Sequence, residues 1–373
     1  METSENRNTA LKNAVILIPS LEPDDRLPSY IRKLGENGFE HLVVVDDGSS
    51  EKYQSIFDDI AAMPNTVVLH HEVNKGKGIG LKTGYRYILE NIPDCTGVIT
   101  ADADGQHTVE DCIRLAEKLA TGERALYLGS RDFGEKQVPF KSRAGNRITS
   151  AVFALLYGKW LPDTQTGLRA FRREDLQFMI DVEGARFEYE MNVLIACARA
   201  KLKMIPITIE TVYENENEGS HFHPFRDSYR IYKVILGSFV KFCGTSLLCF
   251  LIDWALFNIF RMFFPDHDVT FLNFTLNSGI WISTVLARII SASVNYLLNK
   301  NVVFKKSGKA GISFVRYAVL CVGIMLLSAL GTQLLTSIGI AGWLAKPIVD
   351  VILYFLSYNL QQKWVFGEGG RKE

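Results

Sequence analysis

The sequence predicts an α/β domain with a mostly parallel sheet, followed by an all-α domain of four transmembrane helices. Two observations support this prediction. Residues 1 to about 230 mix charged and apolar side chains, and short β-rich runs alternate there with helical patterns. From about Ile235 to Phe366 charges become sparse, and apolar runs approach the roughly 20 residues that span a bilayer. We place the domains at 1–233 and 234–373, with a juxtamembrane segment at about 213–238.

Five β-rich runs define the predicted sheet: AVILI (14–18), HLVVV (41–45), TVVLHH (66–71), GVIT (97–100) and ALYLG (125–129). Helix-like segments separate these runs, which is typical of parallel strands joined by crossover helices. Ligands of such sheets bind outside the carboxyl ends of the strands. The polar residues that end each run are therefore the candidates for a functional site.

The strand ends carry residues suited to a metal and a phosphate. Pro19 follows the first run, Asp46 and Asp47 follow the second, and the fourth leads into Asp102-Ala103-Asp104-Gly105-Gln106. Two acids around one residue are weak evidence alone, but directly after a buried strand they can present both carboxylates to one Mg²⁺ or Mn²⁺ ion.

A glycine-rich turn over residues 74–80 opens a helix. It can bring backbone N–H groups and the charges of Lys75 and Lys77 to a phosphate. The turn matches neither the P-loop nor the dinucleotide-binding pattern, which counts against an NTPase or a dehydrogenase.

Composition excludes some partners. The net charge is zero and no basic stripe is interleaved with aromatic residues, so we do not expect nucleic acid to bind. The six cysteines are scattered, and we interpret them as reduced packing residues. Residues 1–13 are polar and lack the apolar core of a signal peptide, so the soluble half is expected to stay in the cytosol.

The apolar half contains four predicted spans, at about 240–262, 279–298, 317–339 and 343–361. The loops at 262–282 and 332–345 contain no Lys or Arg, whereas the 299–316 loop and the segments that flank the spans are basic. The positive-inside rule then predicts a multi-pass protein of the cell membrane, with both termini and the catalytic domain in the cytoplasm.

We also interpret the membrane half as two similar helical hairpins that arose by duplication. FVKF (239–242) before the first span is echoed by FVRY (314–317) before the third, and NYLLNKNVVF (295–304) aligns with SYNLQQKWVF (357–366). Four ionisable residues lie within or at the edges of the spans, where such groups are costly; they either pair with one another or serve a function. They are Asp253, Arg288, Lys346 and Asp350.

Over residues 11–233 the ordered motifs I-P, V-D-D-G-S, N-K-G-K-G, D-A-D-G-Q-H, G-S-R and D-T-Q-T-G-L-R resemble family 2 inverting glycosyltransferases with the GT-A fold. The nearest type looks like the dolichyl- and polyprenyl-phosphate sugar synthases. The membrane half resembles the GtrA-like four-helix proteins that accompany cell-envelope polysaccharide and teichoic-acid glycosylation. One departure stands out: the family commonly reads I-P-x-Y-N-E where this chain reads IPSLEP (18–23), which leaves Glu22 as the candidate for that donor contact.

The resemblance implies roles for individual residues. The metal ligands are Asp102, Asp104 and Gln106, and the residues with catalytic roles are Asp104 and Arg131. The acceptor phosphate is assigned to Ser130, Arg131 and Arg143. Together with the strand ends and the glycine-rich turn, the resemblance assigns the nucleotide-sugar to Pro19, Glu22, Asp46, Asp47, Lys75, Lys77, Asp102 and Ala103.

The expected reaction is a metal-dependent, inverting transfer of a hexose from a nucleotide-sugar of the UDP-glucose or GDP-mannose type to polyprenyl phosphate. Two alternatives stay open. One is a processive polysaccharide synthase, although QQKW (361–364) is a poor match to its Q-x-x-R-W motif. The other is a lipid-linked sugar translocase or scaffold with a nucleotide-sugar-binding domain. The sequence leaves a homo-oligomer open as well.

Overall fold

The structure is a computed structural model that describes residues 2–132, 140–210, 224–265, 267–271, 274–304 and 310–366. The chain divides into two compact units, residues 1–235 and 236–373, which are treated separately below. Residues 213–223 of the predicted juxtamembrane segment, and the basic residues Lys305, Lys306, Lys309, Arg371 and Lys372, lie outside the described residues.

The first unit is built on a seven-stranded sheet with the order β3-β2-β1-β4-β6-β5-β7. Its strands are β1 (Ala14–Ser20), β2 (His41–Asp46), β3 (Thr66–His70), β4 (Gly97–Thr100), β5 (Ala125–Arg131), β6 (Arg169–Arg172) and β7 (Lys203–Ile209). All neighbouring pairs are parallel except those of β6, which runs antiparallel to both β4 and β5. The predicted fold class, an α/β domain with a mostly parallel sheet, is confirmed.

Eight helices of this unit are described: α1 (Glu2–Lys12), α2 (Arg26–Glu36), α3 (Gln54–Ala61), α4 (Lys77–Asn91), α5 (Val109–Ala120), α6 (Phe140–Tyr157), α7 (Leu176–Asp181) and α8 (Glu188–Ala200). Strands β1, β2 and β4 are almost wholly buried, as continuous apolar runs between two helical layers should be. Each fully buried aliphatic side chain stabilises the fold by roughly 1.5–3 kcal/mol.

A ninth helix, α9 (Pro224–Phe263), begins in the first unit. Its early residues pack on α6, where the Tyr157 hydroxyl donates a hydrogen bond to the Ile235 carbonyl at 2.9 Å. The hydroxyls of Thr149 and Tyr232 lie 3.2 Å apart. The first unit therefore includes the start of this long helix.

The second unit contains the rest of α9, a short antiparallel hairpin of β8 (Asp268–Phe271) and β9 (Phe274–Asn277), and the helices α10 (Ser278–Leu298), α11 (Ala310–Ser337) and α12 (Gly342–Leu360). Within the described residues, the helices over 229–263, 278–303 and 311–337 are long and apolar enough to cross a membrane. Helix α12 is not among them and carries Lys346 and Asp350 near its start. Its role as a fourth span stays a prediction.

The duplicated segments of the second unit pair with each other. Both copies end in a π-helical turn, Asn299–Val303 and Gln361–Val365. The aligned residues Asn299 and Gln361 are joined by a 3.0 Å hydrogen bond between their side chains. Phe304 and Phe366, which directly follow the two turns, stack with their ring centroids 5.2 Å apart.

The aromatic contacts repeat the same exchange. The rings in contact with Tyr296 are Phe314, Tyr317 and Phe366. The rings in contact with the equivalent Tyr358 are Phe239, Phe242 and Phe304. The sequence alignment converts the first set of rings into the second. The end of each copy therefore packs against the beginning of the other copy.

The ionisable groups within the helices pair with each other. Arg288 contacts Asp253 at 3.2 Å, and Lys346 contacts Asp350 at 2.7 Å. Asp253 also accepts a hydrogen bond from Ser291, and Asp350 accepts one from Ser328. The mutual pairing that was considered for these residues is therefore present in the structure.

Candidate active site

The carboxyl ends of β4, β5 and β7 meet at one edge of the sheet. Strand β6 reverses between β4 and β5, so these two strands point the same way, and β7 is parallel to β5. A cavity of 40 Å³ lies at this edge. It is lined by Asp102, Gln106, His107, Arg131, Gln165, Thr166, Gly167, Ile209 and Glu210. The structure thus brings two predicted metal ligands and the predicted acceptor arginine to one cavity.

Asp102 is fixed from several sides. Its Oδ1 lies 2.6 Å from Lys77 Nζ, and its backbone N–H donates to His107 Nδ1 at 3.1 Å. Gly167 lies so close that an added Cβ would meet Asp102 Oδ2 at 2.2 Å. Burial opposes ionisation, but the charge of Lys77 and its hydrogen bond outweigh it and lower the pKa of Asp102 to about 2. This carboxylate is ionised throughout the physiological range.

Asp104 lies directly before a turn at Gly105, whose φ is +72°. Its Oδ1 accepts a hydrogen bond from the Gln106 backbone N–H at 3.0 Å. Burial and the nearby charge of Asp102 raise the pKa of Asp104. Neighbouring positive charge therefore does not fully balance the negative charge of the two carboxylates. A bound cation would relieve that repulsion.

The donor set suits a hard divalent cation but is incomplete. Two carboxylates and an amide oxygen match the oxygen ligands of Mg²⁺ or Mn²⁺. Across the described part of the chain, no group of three or more His, Cys, Asp or Glu residues is placed to hold a metal. Mg²⁺ usually keeps several waters and also binds phosphate oxygens of a ligand, so both kinds of oxygen would be available to complete the coordination.

Arg131, the last residue of β5, is held by Asp163. Its Nε lies 2.7 Å from Asp163 Oδ2 and its Nη2 lies 3.2 Å from Oδ1. The Asp163 side chain is fully buried, whereas that of Arg131 keeps 29% of its exposure. A two-pronged bond of this kind fixes the guanidinium plane. Asp163 belongs to the D-T-Q-T-G-L-R motif, but sequence reasoning gave its carboxylate no role.

Ser130 and Arg143 occupy different settings. Ser130 is buried within β5, immediately before Arg131. Arg143 lies in the first turn of α6 with a partly buried side chain. The described residues that line the cavity do not include Ser130 or Arg143.

Asp47 anchors the glycine-rich turn. Its Oδ1 accepts from the backbone N–H of Lys75 at 2.9 Å, and its Oδ2 accepts from that of Gly76 at 2.7 Å. His71 Nδ1 lies 2.8 Å from Oδ1, while His71 Nε2 lies 2.9 Å from the Thr83 hydroxyl. The role of Asp47 as a donor contact stays a prediction; its carboxylate also holds the glycine-rich turn, and it contacts His71, which sequence reasoning did not single out.

Side-chain hydrogen bonds also join the segments that follow β1, β2 and β3. Asp46 Oδ1 accepts from the Ser49 backbone N–H at 2.9 Å, and Asp46 Oδ2 lies 3.0 Å from His70 Nδ1. The Ser49 hydroxyl accepts from the Glu22 backbone N–H at 2.8 Å. Glu22 has a φ of +49° and an exposed side chain. Pro19 lies within β1, and Ala103 is partly buried between the two acids.

Comparison with known proteins assigns both units. Residues 16–179 match the model of the glycosyl transferase family 2, and residues 241–366 match the GtrA/DPMS transmembrane domain. An uncharacterized protein of Methanocaldococcus jannaschii is 31% identical over 53% of this chain and 81% of its own length. The undecaprenyl-phosphate mannosyltransferase of Micrococcus luteus is 30% identical over 52% of this chain and 81% of its own length.

A solved structure is also similar. It is the glucosyl-3-phosphoglycerate synthase of Mycobacterium tuberculosis in complex with Mn²⁺, UDP and phosphoglyceric acid, which matches with a TM-score of 0.46. The sequence identity is 15%, and the match covers 64% of this chain and 82% of that one.

Proposed function

This chain belongs to glycosyl transferase family 2 and carries a GtrA/DPMS transmembrane domain; from that we propose that it transfers a hexose from a nucleotide-sugar to polyprenyl phosphate. The donor is of the UDP-glucose or GDP-mannose type, and the transfer is metal-dependent and inverting. The reaction takes place at the cytoplasmic face of the membrane, where both termini lie. The names of relatives such as the undecaprenyl-phosphate mannosyltransferase support the acceptor class.

One observation carries the proposal: Asp102, Gln106 and Arg131 line the same cavity. A donor held by the acidic side would lie beside an arginine suited to a phosphate. Mg²⁺ or Mn²⁺ bound at Asp102, Asp104 and Gln106 would neutralise the donor diphosphate and make the nucleoside diphosphate a better leaving group.

The acceptor supplies its own nucleophile. An oxygen of the lipid phosphate attacks the anomeric carbon, the bond from that carbon to the donor diphosphate breaks, and the nucleoside diphosphate leaves. A lipid phosphate is already anionic at neutral pH, so no general base is required. Arg131, held in plane by Asp163, orients the acceptor. One displacement at the anomeric carbon inverts its configuration.

The test uses the purified full-length chain with UDP-glucose or GDP-mannose and with undecaprenyl or dolichyl phosphate, in Mg²⁺, Mn²⁺ or EDTA. We expect one hexose per lipid by mass, an inverted anomeric centre by NMR, and no product in EDTA. A polymer product would instead support the processive synthase. The absence of transfer from every donor would overturn the proposal.

Paired variants test the residue roles. Asp104→Asn and Arg131→Ala should each lower transfer by roughly 100-fold or more. Asp59→Asn and Arg32→Ala, exposed positions on α3 and α2, serve as matched controls. Full transfer by either site variant would remove that residue from the mechanism. Protease protection in vesicles of known orientation tests the cytoplasmic placement.

A further inference from the structure

A row of three alternating charges lies beside the acidic motif. Lys77 Nζ is 2.6 Å from Asp102 Oδ1 and 2.9 Å from Glu190 Oε1. The Lys77 side chain is 18% exposed and that of Glu190 is 14% exposed. Sequence reasoning assigned Lys77 to the donor and did not identify Glu190. The ammonium group therefore neutralises the same carboxylate that is assigned to the metal.

The backbone that carries Lys77 is locked in place. Lys77 is the first residue of α4, and its neighbours are pressed against the segment that leads into α8. A Cβ on Gly76 would meet the Ala185 carbonyl oxygen at 2.6 Å, and one on Gly78 would meet Tyr189 Cβ at 2.6 Å. Any rearrangement of the charge row must therefore come from the long, rotatable lysine side chain.

Asp102 has little freedom to move away from Lys77. Gly167 closes one side of its carboxylate, and His107 Nε2 lies 4.0 Å from Oδ2. A divalent ion that approaches Asp102 consequently meets an ammonium group already in contact with it. Two cations on one carboxylate repel each other strongly in a partly buried site. The metal can gain this ligand fully only if the lysine charge is given another partner.

A nucleoside diphosphate is such a partner. It brings negative charge to the start of α4, where Lys77 can contact it while Glu190 retains its hold on the same ammonium group. We infer that Lys77 is an internal counter-ion: it occupies Asp102 while the donor site is empty and transfers to the donor diphosphate on binding, so that Asp102 accepts a divalent metal only together with the donor. Glu190 is the positioning residue that keeps Lys77 at the site. This inference rests on the proposed function.

The experiment measures Mn²⁺ binding to the full-length protein in detergent by EPR, with and without UDP or GDP. The wild-type protein should bind Mn²⁺ weakly alone and much more tightly with the nucleotide. Lys77→Met should tighten nucleotide-free Mn²⁺ binding by roughly tenfold or more, because the competing charge is gone. Lys118→Met, an exposed position on α5, is the matched control and should behave as wild type.

Two further variants guard against misfolding. Lys77→Gln should behave like Lys77→Met, and Lys77→Arg, which keeps the charge, should behave like wild type. Glu190→Gln should raise the KM for the nucleotide-sugar several-fold with kcat nearly unchanged, a split that a purely structural role would not produce.

The outcomes separate the two proposals. Equal nucleotide-free Mn²⁺ affinity in wild type and both neutral variants would overturn the counter-ion inference while leaving the metal site intact. Wild-type protein that binds Mn²⁺ neither alone nor with any nucleotide would instead overturn the metal dependence of the proposed function, and the inference with it.

Discussion

Replacing Gly167 with alanine tests how tightly the acidic motif must be held. The new Cβ would lie 2.2 Å from Asp102 Oδ2 and 2.5 Å from Oδ1, and real Cβ contacts essentially never fall below 3.0 Å. Asp102 would have to retreat by about 0.8 Å. A displacement near 1 Å at a catalytic group costs about 100-fold in rate, or about 2.7 kcal/mol of transition-state stabilisation. The φ of Gly167 is not in the left-handed region, so the change acts through space alone.

The assay is the initial rate of hexose transfer to undecaprenyl phosphate, with the thermal unfolding temperature recorded in parallel. The control is Gly35→Ala on α2, where the added Cβ would make only an ordinary contact with Leu42 at 3.9 Å. Gly35→Ala should keep its activity. If Gly167→Ala retains more than a third of the wild-type rate while folded, the reasoning that Asp102 must stay where it is would be refuted.

Three other predictions follow from the structure. Asp163→Asn should raise the KM for the lipid phosphate roughly tenfold without changing donor affinity, because Arg131 loses its charged anchor; steady-state kinetics with varied lipid checks this, and an unchanged KM would contradict it. Burial raises the pKa of Cys112 and Cys197 to about 12, so both thiols should resist iodoacetamide at pH 8 in the folded protein and react once it unfolds; peptide mapping reads this out, and rapid native labelling would count against the burial. Asn299→Leu removes a fully buried amide from the second unit and should lower the free energy of unfolding in detergent by about 1–2 kcal/mol; stability equal to wild type would show that the buried amide contributes nothing.

Much of the sheet was predictable because its strands are continuous apolar runs. All five predicted strands exist and begin at the predicted residues. Two strands of this sheet were missed for physical reasons. Strand β6 has only four residues and carries arginine at both ends. Strand β7 contains Pro206, which weakens the signal of a strand but is tolerated here because β7 lies at the edge of the sheet.

The site was predictable where it consists of local motifs and unpredictable where it depends on pairing between distant residues. Asp102, Gln106 and Arg131 were named from the ends of runs and from a resemblance, and they line one cavity. Glu190 and Asp163 contact partners 113 and 32 residues away. Their roles appear only when α8 and the segment before β6 are folded onto the strand ends.

The crossed aromatic pairing in the second unit has a consequence for assembly in the membrane. Tyr358, near the end of the last described helix, packs its ring against Phe239 and Phe242 at the entry to the first. These contacts join residues more than a hundred positions apart, and contacts of that range form late as a chain is made. During synthesis the contacts of Tyr358 with Phe239 and Phe242 can therefore form only after the final helix has been made. A chain truncated before the final helix would leave the rings of Phe239 and Phe242 without their contacts to Tyr354 and Tyr358, which makes them a target for quality control.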